Sequence, residues 1–103
     1  GEHALKRLLA EEELAEFSLA SDKGRFLAKR FAAKEALGKA LGTGIRAPAL
    51  MTAMAVLHDV LGKPEFICRG GLAEMVKNQK LKIHLSISDE QTHAVAFVVV
   101  EQA

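Results

Sequence analysis

The stretch RFLAKRFAAKEALGKALGTGIR, residues 25–46, predicts one long helix that runs into a glycine-rich turn. Alanine, leucine, lysine and arginine dominate it, and these residues are strong helix formers. The helix is expected to end at Gly42, Thr43 and Gly44, because glycine readily adopts the left-handed conformation that closes a helix. The region from Lys23 to Arg46 carries seven basic residues and one acid, Glu35.

The charges of this helix are not confined to its polar side. At about 100° per residue, Arg30 and Lys34 fall inside the broad apolar arc, whereas Glu35 and Lys39 lie just beyond its edge. A charge within an apolar arc needs a partner or a wet cleft, because burying it bare costs several kcal/mol. The pattern therefore indicates a site on this helix.

Glu35 and Lys39 allow two interpretations. They could be an exposed pair four residues apart that adds a little helix stability. Alternatively, Glu35 could bind magnesium, which is often held by one or two carboxylates plus substrate phosphates, and Lys39 could neutralise phosphate charge. The spacing alone leaves both open.

The glycine turn and one polar strand face are similarly ambiguous. Gly42, Thr43 and Gly44 could be a plain helix cap or a close approach for a phosphate, but they do not form the nucleotide-binding P-loop pattern. His84 and Ser86 alternate with apolar residues along a strand, so they could be surface residues or phosphate contacts in a cleft.

The rest of the chain predicts an α+β fold. Residues 1–19 indicate two short helices or one bent helix, and residues 70–78 indicate another helix. Strands are expected at 51–58, 65–69, 82–88 and 93–101, the first two forming a hairpin. The last strand is apolar on both faces, so it should be central or buried against another subunit. Helices followed by hairpins are typical of the α+β class.

Composition limits the function classes. A chain of 103 residues fits one small domain. Its net charge of +1 argues against a nucleic-acid partner. Its single cysteine excludes an internal disulfide, and no apolar stretch reaches the length of about 20 residues that a membrane span needs. A cytoplasmic protein is expected.

At this point the residues resemble a known family. The run FLAKRFAAKEA at residues 26–36, followed by Lys39 and by GTGI at 42–45, is similar to the signature of the holo-acyl-carrier-protein synthases. The runs LGKP at 61–64 and HLSISDE at 84–90 match that family further along. The resemblance covers nearly the whole chain.

The resemblance implies a transferase that moves the phosphopantetheine arm of coenzyme A onto a serine of acyl carrier protein for fatty-acid biosynthesis. It implies magnesium as the metal and a homotrimer with active sites between subunits. Carried over by position, Glu35 matches the metal-binding glutamate and Lys39 the lysine near the diphosphate. The residues expected to contact coenzyme A are Gly42, Thr43, Gly44, Lys63, Pro64, Arg30, His84 and Ser86.

The family pattern begins with a strand whose Gly-Thr-Asp motif supplies a second metal carboxylate, followed by a basic helix that receives the carrier protein. Neither precedes Gly1 in this sequence. The expectation is therefore a phosphopantetheinyl transferase domain at residues 1–103 that lacks its N-terminal segment. The rival interpretation is a non-catalytic module that retains affinity for coenzyme A or the carrier protein.

Overall fold

A computed structural model describes residues 2–103 of the chain. Three helices come first: α1 (Glu2–Leu8), α2 (Glu11–Leu19) and the long α3 (Lys23–Leu41). A short 3-10 turn (Met51–Ala53) leads into a hairpin of β1 (Met54–His58) and β2 (Pro64–Cys68). Helix α4 (Gly70–Asn78) and a second hairpin of β3 (Leu81–Asp89) and β4 (Ala94–Gln102) complete the chain. The α+β prediction is confirmed.

Both ends of α3 are set by local chemistry. The Asp22 side chain accepts a hydrogen bond from the backbone N–H of Arg25 at 3.0 Å, which is the usual way to cap a helix N-terminus. Gly42 closes the other end with a φ of 78°, in the left-handed region that glycine adopts without steric cost. The helix therefore starts two residues earlier than the sequence pattern predicts.

The strands form two separate antiparallel pairs, β1 with β2 and β3 with β4. In the second pair Leu85 lies opposite Val98, and His84 lies opposite Val99. Of the two alternatives predicted for β4, the structure does not show a central strand among the described residues, because the only ladder of β4 there is with β3. Burial against another subunit stays a prediction. The outward apolar residues of β4 are exposed: Phe97 is 67% and Val99 59% accessible.

The core lies between α3, the inner face of the β3–β4 sheet, the first hairpin and α4. One buried cluster contains Leu37, Ala49, Met54 and Leu72. A second contains Ala33, Val56 and Leu85. Helix α3 thus lies against the inner face of the β3–β4 sheet, which leaves the polar residues of β3 on the outer face. Among the described residues, no helix has both the length and the apolar character needed to cross a membrane.

Candidate functional site

Glu35 and Lys39 lie on the C-terminal half of α3. The Glu35 side chain is half-buried and Lys39 is exposed. Among residues 2–103 neither takes part in an ion pair, so the interpretation of a mutual helix-stabilising pair gains no support. A carboxylate and an ammonium group one turn apart are therefore available to a ligand.

The glycine turn folds back onto α3. Its backbone N–H groups donate to helix carbonyl groups: Gly42 to Lys39 at 3.1 Å, Thr43 to Gly38 at 3.2 Å, and Gly44 to Gly38 at 3.0 Å. These N–H groups complete the helix terminus, so they are not directed at a phosphate. Because Gly42 and Gly44 have no side chain, a ligand can approach the backbone of the turn closely.

Gly38 makes this close return possible. A Cβ atom placed on Gly38 would lie 2.9 Å from the carbonyl carbon of Gly44 and 3.1 Å from a methyl carbon of Ile45. Both distances are shorter than carbon atoms normally approach. Glycine at this position therefore lets the turn pack directly on the helix, one residue before Lys39.

The oxygen donors on this chain fit a magnesium ion that is held mainly by water and by the phosphates of a bound substrate. Within the described residues no cluster of three or more His, Cys, Asp or Glu side chains could hold a metal. Glu35 supplies one carboxylate, and magnesium keeps several waters and is usually bound through one or two carboxylates plus substrate phosphates. Glu35 would hold such an ion only together with a phosphorylated substrate.

Lys63 and Pro64 lie at the tip of the β1–β2 hairpin. One Asp59 carboxylate oxygen accepts hydrogen bonds from the backbone N–H groups of Leu61 and Lys63, each at 2.9 Å. This arrangement fixes the turn and leaves the Lys63 side chain exposed. The hairpin therefore presents a cation from a rigid backbone.

His84 and Ser86 lie on the outer face of the β3–β4 sheet. The His84 ring nitrogen Nε2 is 2.8 Å from a carboxylate oxygen of Glu101 on β4, and Ser86 lies opposite the exposed Phe97. Because α3 covers the inner face, the sheet separates these two residues from Glu35. The structure does not bring all the sequence-predicted site residues together on one side of the chain.

Arg30 is placed differently from the expectation of a phosphate contact. Its side chain is 4% exposed, with one terminal nitrogen 3.1 Å from Glu16 and Nε 3.3 Å from Glu13. Its guanidinium also stacks 4.3 Å from the centre of the Phe26 ring. A guanidinium enclosed by two carboxylates and a ring is not presented to a phosphate, so the geometry argues against that role.

A buried network that sequence reasoning missed surrounds Lys34. Its ammonium group donates to Glu13 Oε1 at 2.5 Å, to the Leu8 carbonyl at 2.8 Å and to the Met51 carbonyl at 2.9 Å. Glu13 also accepts from the backbone N–H groups of Ala10 and Val56, each at 2.9 Å. Burial lowers the pKa of Lys34 below its ordinary value, while the hydrogen bond that Lys34 donates to Glu13 opposes that change.

The sequence did contain a signal for this network. Lys34 and Arg30 fall inside the apolar arc of α3, and three consecutive glutamates begin α2. Which of those glutamates turns inward could not be predicted, because Glu13 is 21 residues from Lys34 and the contact depends on how α2 and α3 pack.

Arg25 joins the start of α3 to the end of β3. It donates to Asp89 at 2.7 Å and to the carbonyls of Glu90 and Gln91 at 2.8 and 3.1 Å. The hydrogen bond from Arg25 lowers the pKa of Asp89 below its ordinary value. This contact fixes the β3–β4 turn against the helix.

Comparison of the sequence with known proteins identifies the family to which it is similar. The sequence profile described as "ACPS: 4'-phosphopantetheinyl transferase superfamily" matches residues 1–98. A holo-[acyl-carrier-protein] synthase from Dechloromonas aromatica is 61% identical over 103 residues, which cover 100% of this chain and 82% of that protein. One from Laribacter hongkongensis is 55% identical over 102 residues, covering 98% and 82%.

Solved structures agree with the sequence comparison. The holo-[acyl-carrier-protein] synthase of Neisseria meningitidis superposes with a TM-score of 0.93 at 45% identity, covering 99% of this chain and 82% of that one. The Bacillus anthracis enzyme, solved in complex with CoA (3',5'-ADP), gives 0.83 at 35% identity, covering 99% and 83%. The chain belongs to the holo-[acyl-carrier-protein] synthase family of the 4'-phosphopantetheinyl transferase superfamily, as its signature run indicated.

Proposed function

We propose that this chain transfers the 4'-phosphopantetheine group of coenzyme A to a serine of apo acyl carrier protein, giving the holo form used in fatty-acid biosynthesis. The observation that carries the proposal is the 61% identity to a holo-[acyl-carrier-protein] synthase over the whole chain. The matching fold of the Bacillus anthracis enzyme, which binds CoA, supports coenzyme A as the co-substrate. We place this activity in one transferase domain in the cytoplasm.

The reaction is a phosphoryl transfer. The serine oxygen forms a bond to the phosphorus that carries the pantetheine arm. The bond from that phosphorus to the bridging diphosphate oxygen breaks, and adenosine bisphosphate leaves with the electron pair. The serine gives up its proton, for which water or Glu35 is the acceptor. Such a reaction depends mainly on positioning and on stabilising negative charge.

Glu35 and Lys39 are the residues we assign to this chemistry. Glu35 would hold magnesium, which neutralises diphosphate charge when bound. Lys39, exposed one turn further along α3, would attract the diphosphate directly and stabilise the charge that develops on it. The residues proposed to line the coenzyme A site are Gly42, Thr43, Gly44, Lys63, Pro64, His84 and Ser86.

A homotrimer with sites between subunits accounts for the distribution of these residues. Glu35 and His84 lie on opposite sides of the β3–β4 sheet, so a second copy is needed to place the outer face of one sheet beside the α3 of another. The outer face also exposes Phe97 and Val99, which lie opposite Ser86 and His84. Exposed apolar residues of this size favour an interface between subunits.

The activity is tested by incubating apo acyl carrier protein, coenzyme A and magnesium with the chain and following the intact mass of the carrier. We expect a mass gain of one phosphopantetheine group, and a loss of about 10²–10³-fold in rate for Glu35→Gln. Glu74→Gln, an exposed glutamate on α4, is the matched control. Coenzyme A binding by calorimetry without any mass gain would instead support a non-catalytic module.

The assembly is tested by light scattering. Phe97→Asp places a charge in the proposed interface, and we expect it to reduce the measured mass from three copies to one. Leu19→Asp is the matched control, because Leu19 is an exposed apolar residue of α2 and not part of the β3–β4 sheet. A wild-type chain that runs as a monomer would contradict the trimer proposal.

A further inference from the structure

The network around Lys34 connects five parts of the fold at one point. Its three donated hydrogen bonds reach Leu8 at the end of α1, Glu13 in α2 and Met51 in the 3-10 turn. Glu13 extends the network to Val56 in β1. Both side chains are fully buried, and three acceptors match the three N–H bonds of an ammonium group.

We propose that the buried Glu13–Lys34 pair is a positioning device that sets the rotation and axial placement of α3, and thereby orients Glu35 for transfer. The proposal rests on the function proposed above and assigns these two residues a part in it. Neither side chain touches substrate, because each is enclosed by protein groups. They act through the residue that follows Lys34 in the helix.

The composition of α3 around Glu35 explains why the helix needs such a device. Its neighbours Ala32, Ala33 and Ala36 are small, so their side chains offer little bulk to resist a rotation or shift of the helix. Apolar burial is also non-directional, and the hydrogen bonds of Arg25 hold the helix only at its N-terminal end. Hydrogen bonds depend on distance and angle, so the bonds of Lys34 fix one setting.

The rotation and axial placement of α3 matter because the transfer reaction depends on where the Glu35 carboxylate lies. Lys34 and Glu35 are adjacent residues of one helix, at a fixed angle of about 100° to each other. A rotation of the helix at Lys34 therefore turns the Glu35 carboxylate through an equal angle. Misplacing a group by about 1 Å can cost about 100-fold in rate. A pair that only stabilised the fold would change the fraction of folded protein and leave the rate of each folded molecule unaltered.

The test is a double-mutant cycle on kcat. Lys34→Met should lower kcat about 10- to 100-fold for the folded protein, leave the KM for coenzyme A within about threefold, and raise the magnesium concentration at half-maximal rate. In a Glu35→Gln background the same substitution should cause no further loss, since Lys34 acts through Glu35. Lys29→Met is the matched control, because Lys29 is a partly exposed residue of the same helix, 3.5 Å from Asp89 and outside the buried network.

An equal loss of kcat in both backgrounds, or a loss no greater than that of Lys29→Met, would overturn the proposal. If Lys34→Met does not fold because it removes one of the two cations that pair with the buried Glu13, the double variant Glu13→Gln/Lys34→Met takes its place. Removing both charges of a buried pair is much better tolerated than removing one.

Amide hydrogen exchange makes the test independent of activity. At equal global stability, residues 35–41 should exchange faster in the double variant than in Lys29→Met, and equal exchange would contradict the positioning role. A wild-type chain that binds and exchanges as expected but transfers nothing would overturn the proposed function alone. The two failures are therefore distinguishable.

Discussion

Gly38→Ala tests whether the glycine turn is held directly against α3. Two effects of opposite sign compete at this position. Replacing glycine by alanine inside a helix normally stabilises it by about 1 kcal/mol. The added Cβ would, however, lie 2.9 Å from the Gly44 carbonyl carbon and 3.0 Å from its oxygen, which is closer than packed atoms allow.

The unfavourable steric contact should outweigh the gain in helix propensity, because the turn cannot easily move away. The atoms nearest the new methyl group belong to backbone, and the Gly44 N–H is hydrogen-bonded to the Gly38 carbonyl at 3.0 Å. Overpacking costs about 1–3 kcal/mol. Set against the gain of about 1 kcal/mol in propensity, the variant should be less stable by about 0–2 kcal/mol.

Gly24→Ala is the matched control on the same helix. A Cβ there meets only an Asp22 carboxylate oxygen, at 3.8 Å, so the substitution should stabilise the chain by about 0.4–1 kcal/mol. Urea denaturation of the wild type and both variants measures these differences. Equal stabilisation by Gly38→Ala and Gly24→Ala would refute the argument that the turn packs on the helix.

Gly38→Ala should also weaken coenzyme A binding. The turn of residues 42–44, which we propose lines the coenzyme A site, must shift to admit the methyl group. Calorimetry should therefore show a higher Kd for Gly38→Ala and an unchanged Kd for Gly24→Ala.

The other predictions concern stability. Gly42→Ala forces alanine to a φ of 78°, which should destabilise the chain by about 1–2 kcal/mol in urea denaturation. Leu72→Ala empties a fully buried position between α4 and the sheet and should cost about 2–5 kcal/mol, seen as a large fall in Tm. The hydrogen bond from Arg25 depresses the pKa of Asp89 in the folded state, so its contribution is present above the unfolded pKa and disappears as pH falls through the folded one. The stability advantage of wild type over Arg25→Leu should therefore shrink as pH falls below the ordinary aspartate pKa of about 4, and an advantage that stays constant in acid would contradict this assignment.

Local patterns were sufficient to predict most of the fold. The helix formers before Gly42 predicted α3, and alternation along residues 82–88 predicted β3 within one residue at each end. These features depend on neighbouring residues only. Whether β4 lies inside a sheet or at a subunit interface was not predictable in the same way. Apolar residues on both faces of a strand fit a central strand and a subunit interface equally well.

The candidate site stays a prediction. Glu35 and Lys39 stood out because they lie just beyond the edge of an apolar arc, and the structure leaves both without an ion-pair partner among the described residues. Arg30 had the same sequence character as a phosphate ligand, yet it pairs with Glu13 and Glu16. A basic residue in an apolar arc shows that a partner exists, while the identity of that partner depends on tertiary packing.

The buried pair also limits how this sequence can evolve. Replacing Lys34 by an uncharged residue leaves Glu13 and two carbonyl groups without the ammonium donor they share. Replacing Glu13 by an uncharged residue leaves that enclosed ammonium group without its counter-ion. Single substitutions at either position should therefore be selected against, even where a paired apolar replacement would fold. A library that varies both positions together should recover solutions that successive single changes cannot reach.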